Sequence, residues 1–435
     1  LSSMCSICKG RKNLCGRSKC LILQKFRISK KFKGLIEKKE FFGASPPSLF
    51  VGEYGYPKVR IGPMLPTFGD VEQVNELLNE NTNTNIESKS EFDISKLENP
   101  KNWTNSSIDE IMHYRSMLVM GETKSNVKVE NNYRDANLPT STKYIDNIQE
   151  IAMSIKPVDS EMKLLKNPKM VLGMSSYTSP MGAKENLLKF DIAENPKIPK
   201  KTDSVVNDEL KALEGVMSLY NSGFDEYYII KLLSTGLMGV DKKIVPTKWS
   251  ITAVQDMIGK ELRKEVIGYN VINNYELYHA ELLGNRYFIL LIPDLYAFEA
   301  MEVWLKGSLY GRVAEYHVCG DYEGIKGLKG YVKETAGAFH ASRLSVMENL
   351  HKRKKQAKIV VIREITPDYY APVGVWQIRQ GVKLAMDSKK IGEFDTLKSA
   401  LLGLEQYLIV PVDKYVEKSK ILKITNRQTL LEQFL

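Results

Sequence analysis

The chain has 435 residues, of which 43% are hydrophobic and 26% charged. That balance describes globular protein and excludes wholesale disorder or a fibrous repeat, and the length exceeds what one compact core usually holds, so two folded units are expected. The net charge of +10 is unevenly placed: Lys9 to Lys39 holds twelve basic residues against one acidic residue, Glu37, and the rest of the chain sums to −1.

The N-terminal stretch contains Cys5, Cys8, Cys15 and Cys20, four of the five cysteines. Their C-x2-C-x6-C-x4-C spacing suits four thiolates closing a tetrahedral shell around one structural Zn2+ per chain, with no open position for a substrate. Reduced, unliganded cysteines in a tail are the alternative reading. Metal binding supplies on the order of 10 kcal/mol to a segment too short for a core of its own. The basic residues around the cysteines, Lys9, Arg11, Lys12, Arg17, Lys19, Lys25, Arg27, Lys30, Lys31 and Lys33, form the footprint of a polyanion partner, nucleic acid or an anionic membrane surface, with a solubility tail as the bland alternative. Cys319 stands alone and reads as a buried small hydrophobe.

Residues 50–66, FVGEYGYPKVRIGPMLP, carry glycine and proline too densely for a long regular element and are expected to be extended and tightly turned, without a phosphate-loop spacing. The Asn-, Ser- and Glu-rich run 75–105 reads as a solvated insertion. Three helices are expected next: one carrying Leu210, Leu213, Met217 and Tyr220 and stopping near Gly223; one capped by Asp225 and ending at Gly236; and one capped by Ser250, apolar at Ile251, Val254, Ile258 and Leu262.

Past residue 270 the period changes. Residues 275–283 and 286–292 read as a hairpin turning at Gly284-Asn285, 311–319 and 358–365 as further strands, and 341–354 as a helix. Asp395 is expected to open the last long helix, with Leu397, Leu401, Leu404 and Leu408 on one side. The fold class is therefore α+β: a helix-rich N-terminal region, a mixed helix and antiparallel-sheet C-terminal region, and a small N-terminal zinc-binding segment. No apolar run approaches the roughly 20 residues of a membrane span, and no secretory signal is evident, so a cytoplasmic protein without a membrane partner is expected.

His279 with Glu281, and Glu315 with His317, are two apart on expected strands. Were those strands paired, two imidazoles and two carboxylates would converge in a constellation fit for acid–base chemistry or a second metal, and the chain would be a nucleic-acid-modifying enzyme with its site in the C-terminal region. A solvated strand face is the other reading. His340 and Arg343 are further candidates for phosphate contact. At the C-terminus, Gln428, Leu431, Phe434 and Leu435 form Q-x-x-L-x-x-F-L, which resembles the peptide box that docks on the replication sliding clamp; packing of a terminal helix on the core is the alternative.

Taken together, the cysteine cluster, the 50–66 run, VPTKWSITAVQD at 245–256 and the terminal box resemble the archaeal NreA DNA repair family. The resemblance implies an N-terminal Nre region, 26–270, and a C-terminal Nre region, 271–423, between a zinc segment at 1–25 and a tail at 424–435. It implies a repair factor at the nucleoid with zinc on Cys5, Cys8, Cys15 and Cys20 that binds the sliding clamp, PCNA, through Gln428, Leu431, Phe434 and Leu435; the basic residues add the expectation that the zinc-stapled head contacts DNA. It names no catalytic mechanism.

Overall fold

The computed structural model describes residues 7–12, 14, 19–46, 49–68, 93–129, 141–311, 316–328 and 330–432. The chain divides into two compact units, one of residues 24–254 and one of residues 255–435 together with the described part of 1–23. The boundary falls between Val254 and Gln255, inside a helix, where the sequence placed it near residue 270.

In the N-terminal unit, helix α1 (Leu21–Phe32) enters with Ile28 and Phe32 buried. Strands β1 (Glu40–Ser45), β2 (Leu49–Val51) and β3 (Lys58–Pro66) follow, then α2 (Ile108–Ser116), β4 (Leu118–Asn126), α3 (Ser141–Met153), β5 (Val158–Leu164), β6 (Lys169–Gly173) and β7 (Met181–Ile192). These strands form one sheet of seven in the order β1-β5-β7-β4-β3-β2, with β6 also on β7. The region expected to be helix-rich is thus organised around a sheet. Its strands hide from periodicity: β5 alternates cleanly, but two of its inward residues are Val158 and the hydroxyl-bearing Ser160, and β3 carries Gly62, Pro63 and Pro66. A Cβ at Gly62 would stand 1.8 Å from the Gly121 carbonyl oxygen, so β3 and β4 approach only because that side chain is missing.

The run 50–66 is extended as expected, with its turn at Gly55 (φ +89). Of the stretch expected to be a solvated insertion, residues 75–92 lie outside the described residues, whereas 94–97 and 100–103 are ordered 3-10 turns, the second burying Trp103 completely. A capping box at Ser107 and Glu110 starts α2.

Helices α4 (Lys200–Asn207), α5 (Ala212–Asn221) and α6 (Glu226–Ser234) follow. The Asp225 carboxylate accepts the Tyr228 N–H at 2.9 Å, and Gly223 and Gly236 hold positive φ beyond the two helix ends, as the sequence indicated. Helix α7 (Thr247–Val266) starts three residues before the expected cap, because Pro246 O accepts the N–H groups of Trp249 and Ser250 and Ser250 is buried inside the first turn.

The C-terminal unit holds β8 (Asn270–Val271), β9 (Tyr275–Leu282), β10 (Asn285–Ile292), β11 (Ala297–Trp304), β12 (Val318–Glu323), α8 (Gly337–Arg353), β13 (Lys355–Gln356), β14 (Lys358–Ile365), α9 (Trp376–Asp387), β15 (Gly392–Phe394), α10 (Leu397–Glu405), α11 (Val412–Lys418) and α12 (Lys420–Glu432). Six strands form a sheet in the order β12-β11-β14-β10-β9-β15, antiparallel except for the β11–β14 pair. The hairpin turns one residue earlier than expected, at Leu283-Gly284, both with positive φ, since Asn285 already pairs with Leu282. Strand β12 begins only at Val318. The leucine-rich helix is not the last: Thr396 caps it, it stops at Glu405 before Leu408, and two helices follow.

Leu397, Ala400, Leu404, Val412, Tyr415, Ile421 and Leu422 of the three C-terminal helices share one core with Leu277, Phe288, Leu290, Val360 and Ile362 of the sheet. Two carboxylates from that sheet face are sunk into the layer. Glu364 accepts the N–H groups of Ile409 (3.0 Å) and Val410 (2.8 Å), the Tyr415 hydroxyl (3.0 Å) and Arg286 (3.0 Å). Glu299 accepts the Lys420 and Ile421 N–H groups at 2.9 and 3.1 Å and the Ser419 hydroxyl, capping α12 from the strand. The overall class is α+β.

Candidate functional site

The basic head is partly described. Cys8 opens a turn in which Arg11 N–H donates to Cys8 O at 2.9 Å, and Lys9 and Gly10 hold positive φ. A Cβ at Gly10 would lie 3.6 Å from Cys20 Sγ and collide with Leu23 at 2.9 Å, so the Cys8 turn folds directly against the second thiol. Cys5, Cys15 and Arg17 lie outside the described residues, among which no three His, Cys, Asp or Glu side chains converge. Lys9, Arg11, Lys12, Lys19, Arg27, Lys30 and Lys33 are exposed. Lys25 and Lys31 are half-buried, and burial pushes the Lys25 ammonium below its usual pKa, which leaves them less free to meet a polyanion than the sequence suggested.

The histidine constellation does not assemble. β9 and β12 are separated by β10, β14 and β11, about 19 Å at the usual strand spacing. His279 stacks on Phe288 with centroids 4.5 Å apart, its Nδ1 is 3.0 Å from Tyr287 O, and Glu281 reaches Arg286 at 2.9 Å. His317 is exposed ahead of β12, and Glu315 lies outside the described residues. The strands fail to pair because β14, far along the chain, inserts between the β9–β10 hairpin and the β11–β12 pair.

His340 and Arg343 cannot face phosphate either. Arg343 is fully buried between Glu323 (2.8 Å) and Asp256 (2.7 Å), and His340 Nδ1 faces Asp256 Oδ1 at 3.3 Å. Burial would raise the Asp256 carboxyl, but His340, Lys260 and Arg343 hold it well below the usual carboxylate range. Tyr296 closes the group by donating to Glu323. Similar pairs join Arg363 to Glu302 and Arg379 to Glu348. Each cation there has an assigned anion, which is the signature of structural charge. Cys319 is half-buried, and burial raises its thiol pKa.

Of the terminal box, Gln428 and Leu431 lie on the backbone of α12, and Phe434 and Leu435 lie outside the described residues. Among the described side chains of that helix, which end at Asn426, Ile421, Leu422 and Thr425 are buried; those of the box lie outside them.

A different site emerges in the N-terminal unit: a cleft of about 390 Å3 lined by residues 50–54, Arg60, Glu122, residues 173–175, Thr178, Met181, Gly182, Lys184 and Lys248. It joins the two runs that carry the family resemblance. Val51 N–H donates to Thr247 Oγ1 at 2.9 Å across 196 positions, and Gly52 N–H donates to Arg60 O at 2.8 Å. On the floor, the buried Glu122 accepts both Arg60 and Lys184 at 2.7 Å. At the rim, Lys248 in the first turn of α7 is 3.2 Å from Glu53 and 4.5 Å above the Tyr177 ring. Tyr56 and Trp249 pack at 5.2 Å and stay half-exposed, and Tyr54 is 87% exposed. Strand pairing sets the exposed Lys124 opposite Arg60 and the exposed Lys169 opposite Lys184. Sequence reading missed this site because its halves lie almost 200 residues apart; the available signal was the density of Tyr, Trp and Lys in two otherwise unexplained runs.

Residues 14–311 match the family model described as archaeal Nre, N-terminal, and residues 323–434 the one described as archaeal Nre, C-terminal. The division between the two falls between β11 and β12 of one sheet and so follows neither structural unit. DNA repair protein NreA of Archaeoglobus fulgidus is 34% identical over 100% of this chain and 99% of its own length, and DNA repair protein NreB of the same organism is 30% identical over 98% and 99%. DNA repair protein NreA of Haloferax volcanii is 33% identical over 89% of this chain and 88% of its own. No solved structure matches the chain. With two family models spanning most of its length and relatives aligned nearly end to end, the chain belongs to the archaeal Nre family.

Proposed function

We propose that the protein is a DNA repair factor that grips DNA through its basic head and reaches the replication sliding clamp through its C-terminal box. The supporting observation is that α1 buries Ile28 and Phe32 while Arg27 and Lys30 stay exposed on the same helix, which fixes a cationic face outward. The relatives' names as DNA repair proteins support the same reading. Cys5, Cys8, Cys15 and Cys20 would hold one Zn2+, whose contribution is to order the head and not to react. Tethering to a clamp raises the effective concentration of the protein at replicating DNA, so the head need not bind DNA tightly.

A salt series of fluorescence anisotropy with duplex DNA tests the grip. If about five head cations each neutralise a phosphate, log Kd changes against log salt with a slope magnitude near 4.5; binding indifferent to salt removes the head's role. Removing residues 428–435 should abolish pull-down on the clamp and leave the melting temperature in place; a large melting shift would instead mean that the terminal helix packs on the core. Metal analysis finding no zinc would reject the stapled head.

A further inference from the structure

The geometry points to the cleft of the N-terminal unit as a binding site for an unpaired stretch of DNA, with phosphate held by Arg60, Lys184 and Lys248 and bases stacked on the exposed rings of both Tyr54 and Trp249. This site is separate from the head, and only the choice of DNA over RNA rests on the repair reading.

Charge comes first. Three cations line the cleft against two carboxylates, Glu122 and Glu53, and Lys124 and Lys169 flank the floor through strand pairing. The cations keep free surface while paired: side-chain exposure is 49% for Arg60, 38% for Lys184 and 35% for Lys248, whereas Glu122 is 7% exposed. Glu122 therefore orients two donors from beneath and leaves their outer N–H groups for an incoming anion. This is the reverse of the C-terminal network, in which the cations themselves are buried.

The aromatic rings select the kind of anion. Tyr54 lines the cleft, and Trp249, next in the chain to the lining Lys248, packs on Tyr56 beside it; exposed rings next to cations offer a stacking surface that a free phosphate does not use. Duplex bases have their faces already covered, so only an unstacked base can use these rings. The volume lies at the lower end of the roughly 300–1,000 Å3 typical of small-ligand sites, room for a nucleotide but not for a double helix. The backbone behind the floor is closely packed: a Cβ at Gly182 would stand 2.6 Å from the carbonyl oxygens of Arg115 and Leu118.

The test uses the full chain and three fluorescein-labelled probes at one salt concentration: a short oligo(dT), an oligo(U) of the same length and a blunt duplex. Trp249→Ala and Tyr54→Ala should each weaken oligo(dT) binding about tenfold, the scale of one lost base–aromatic stack, while duplex binding changes less than about twofold and Trp249→Phe retains most of the affinity. Arg27→Glu with Lys30→Glu should weaken duplex and single strand alike, so failure of the head and failure of the cleft are told apart. Wild-type oligo(dT) affinity in both aromatic variants, or an equal loss on the duplex, overturns the site. Tighter binding of oligo(U) than of oligo(dT) overturns the assignment to DNA. Should Trp249→Ala misfold, Tyr54→Ala decides alone, its ring being almost wholly in solvent.

Discussion

Arg60 of the N-terminal unit and the buried arginines of the C-terminal unit face opposite circumstances. In the C-terminal unit Arg343, Arg363 and Arg379 are buried and each meets a carboxylate, so their charges are consumed inside the fold. In the N-terminal unit Arg60 shares one buried carboxylate with Lys184 and remains half in solvent. The same ion-pair chemistry thus yields a scaffold where the cation is buried, and a recognition surface where the anion is buried and cations outnumber it. Exposure of the cation, and not the presence of the pair, separates the two.

The largest expected effect is Arg343→Met, which leaves Glu323 and Asp256 without their shared cation and should cost about 3–5 kcal/mol in denaturant unfolding; a loss below about 1 kcal/mol would erase the distinction drawn here. Glu364→Gln comes next. It keeps the shape but weakens the hold on the Ile409 and Val410 N–H groups and on Arg286, for about 1–3 kcal/mol.

Acid titration supplies a third measurement. Asp256 is held below the usual carboxylate range in the folded state, so the stability it confers is complete above the unfolded carboxyl pKa of about 4 and drains away as pH falls below that through the lower folded value. Asp256→Asn should flatten the stability curve below about pH 4, and an unchanged slope would mean that the carboxylate is not held as the geometry implies. The smallest effect belongs to the cleft rim: Tyr54→Ala, at a ring 87% exposed, should shift stability by within about 0.5 kcal/mol, as surface substitutions do. A loss like that of Arg343→Met would make the cleft a scaffold too.

The sequence carried the local signals well. Asp225, Gly223 and Gly236 announced their helix ends, and Lys358 to Ile365 announced a buried strand, because caps, glycines and apolar runs act within a few residues. What it did not carry is strand order. Nothing near His279 or His317 reveals that β14 inserts between their strands, and that single insertion dissolves the expected constellation. The N-terminal sheet was hidden for a related reason: Gly62 and Gly121 mark a close approach of two backbones, and a missing side chain leaves no periodic trace. The cleft was legible only as two dense aromatic and cationic runs, whose meeting depends on the contact between Val51 and Thr247.

Glu299 has a mechanical consequence. It reaches from a central strand to hold the first turn of α12, and the helix then rises about 1.5 Å per residue, which sets Gln428 roughly 12 Å beyond that foothold. The terminal helix is a mast stepped into the sheet and not a rope tied to its edge. Any pull on its far end loads the Glu299 cap and the buried Ile421 and Leu422 together, so a partner engaged there would be held through residues it never touches.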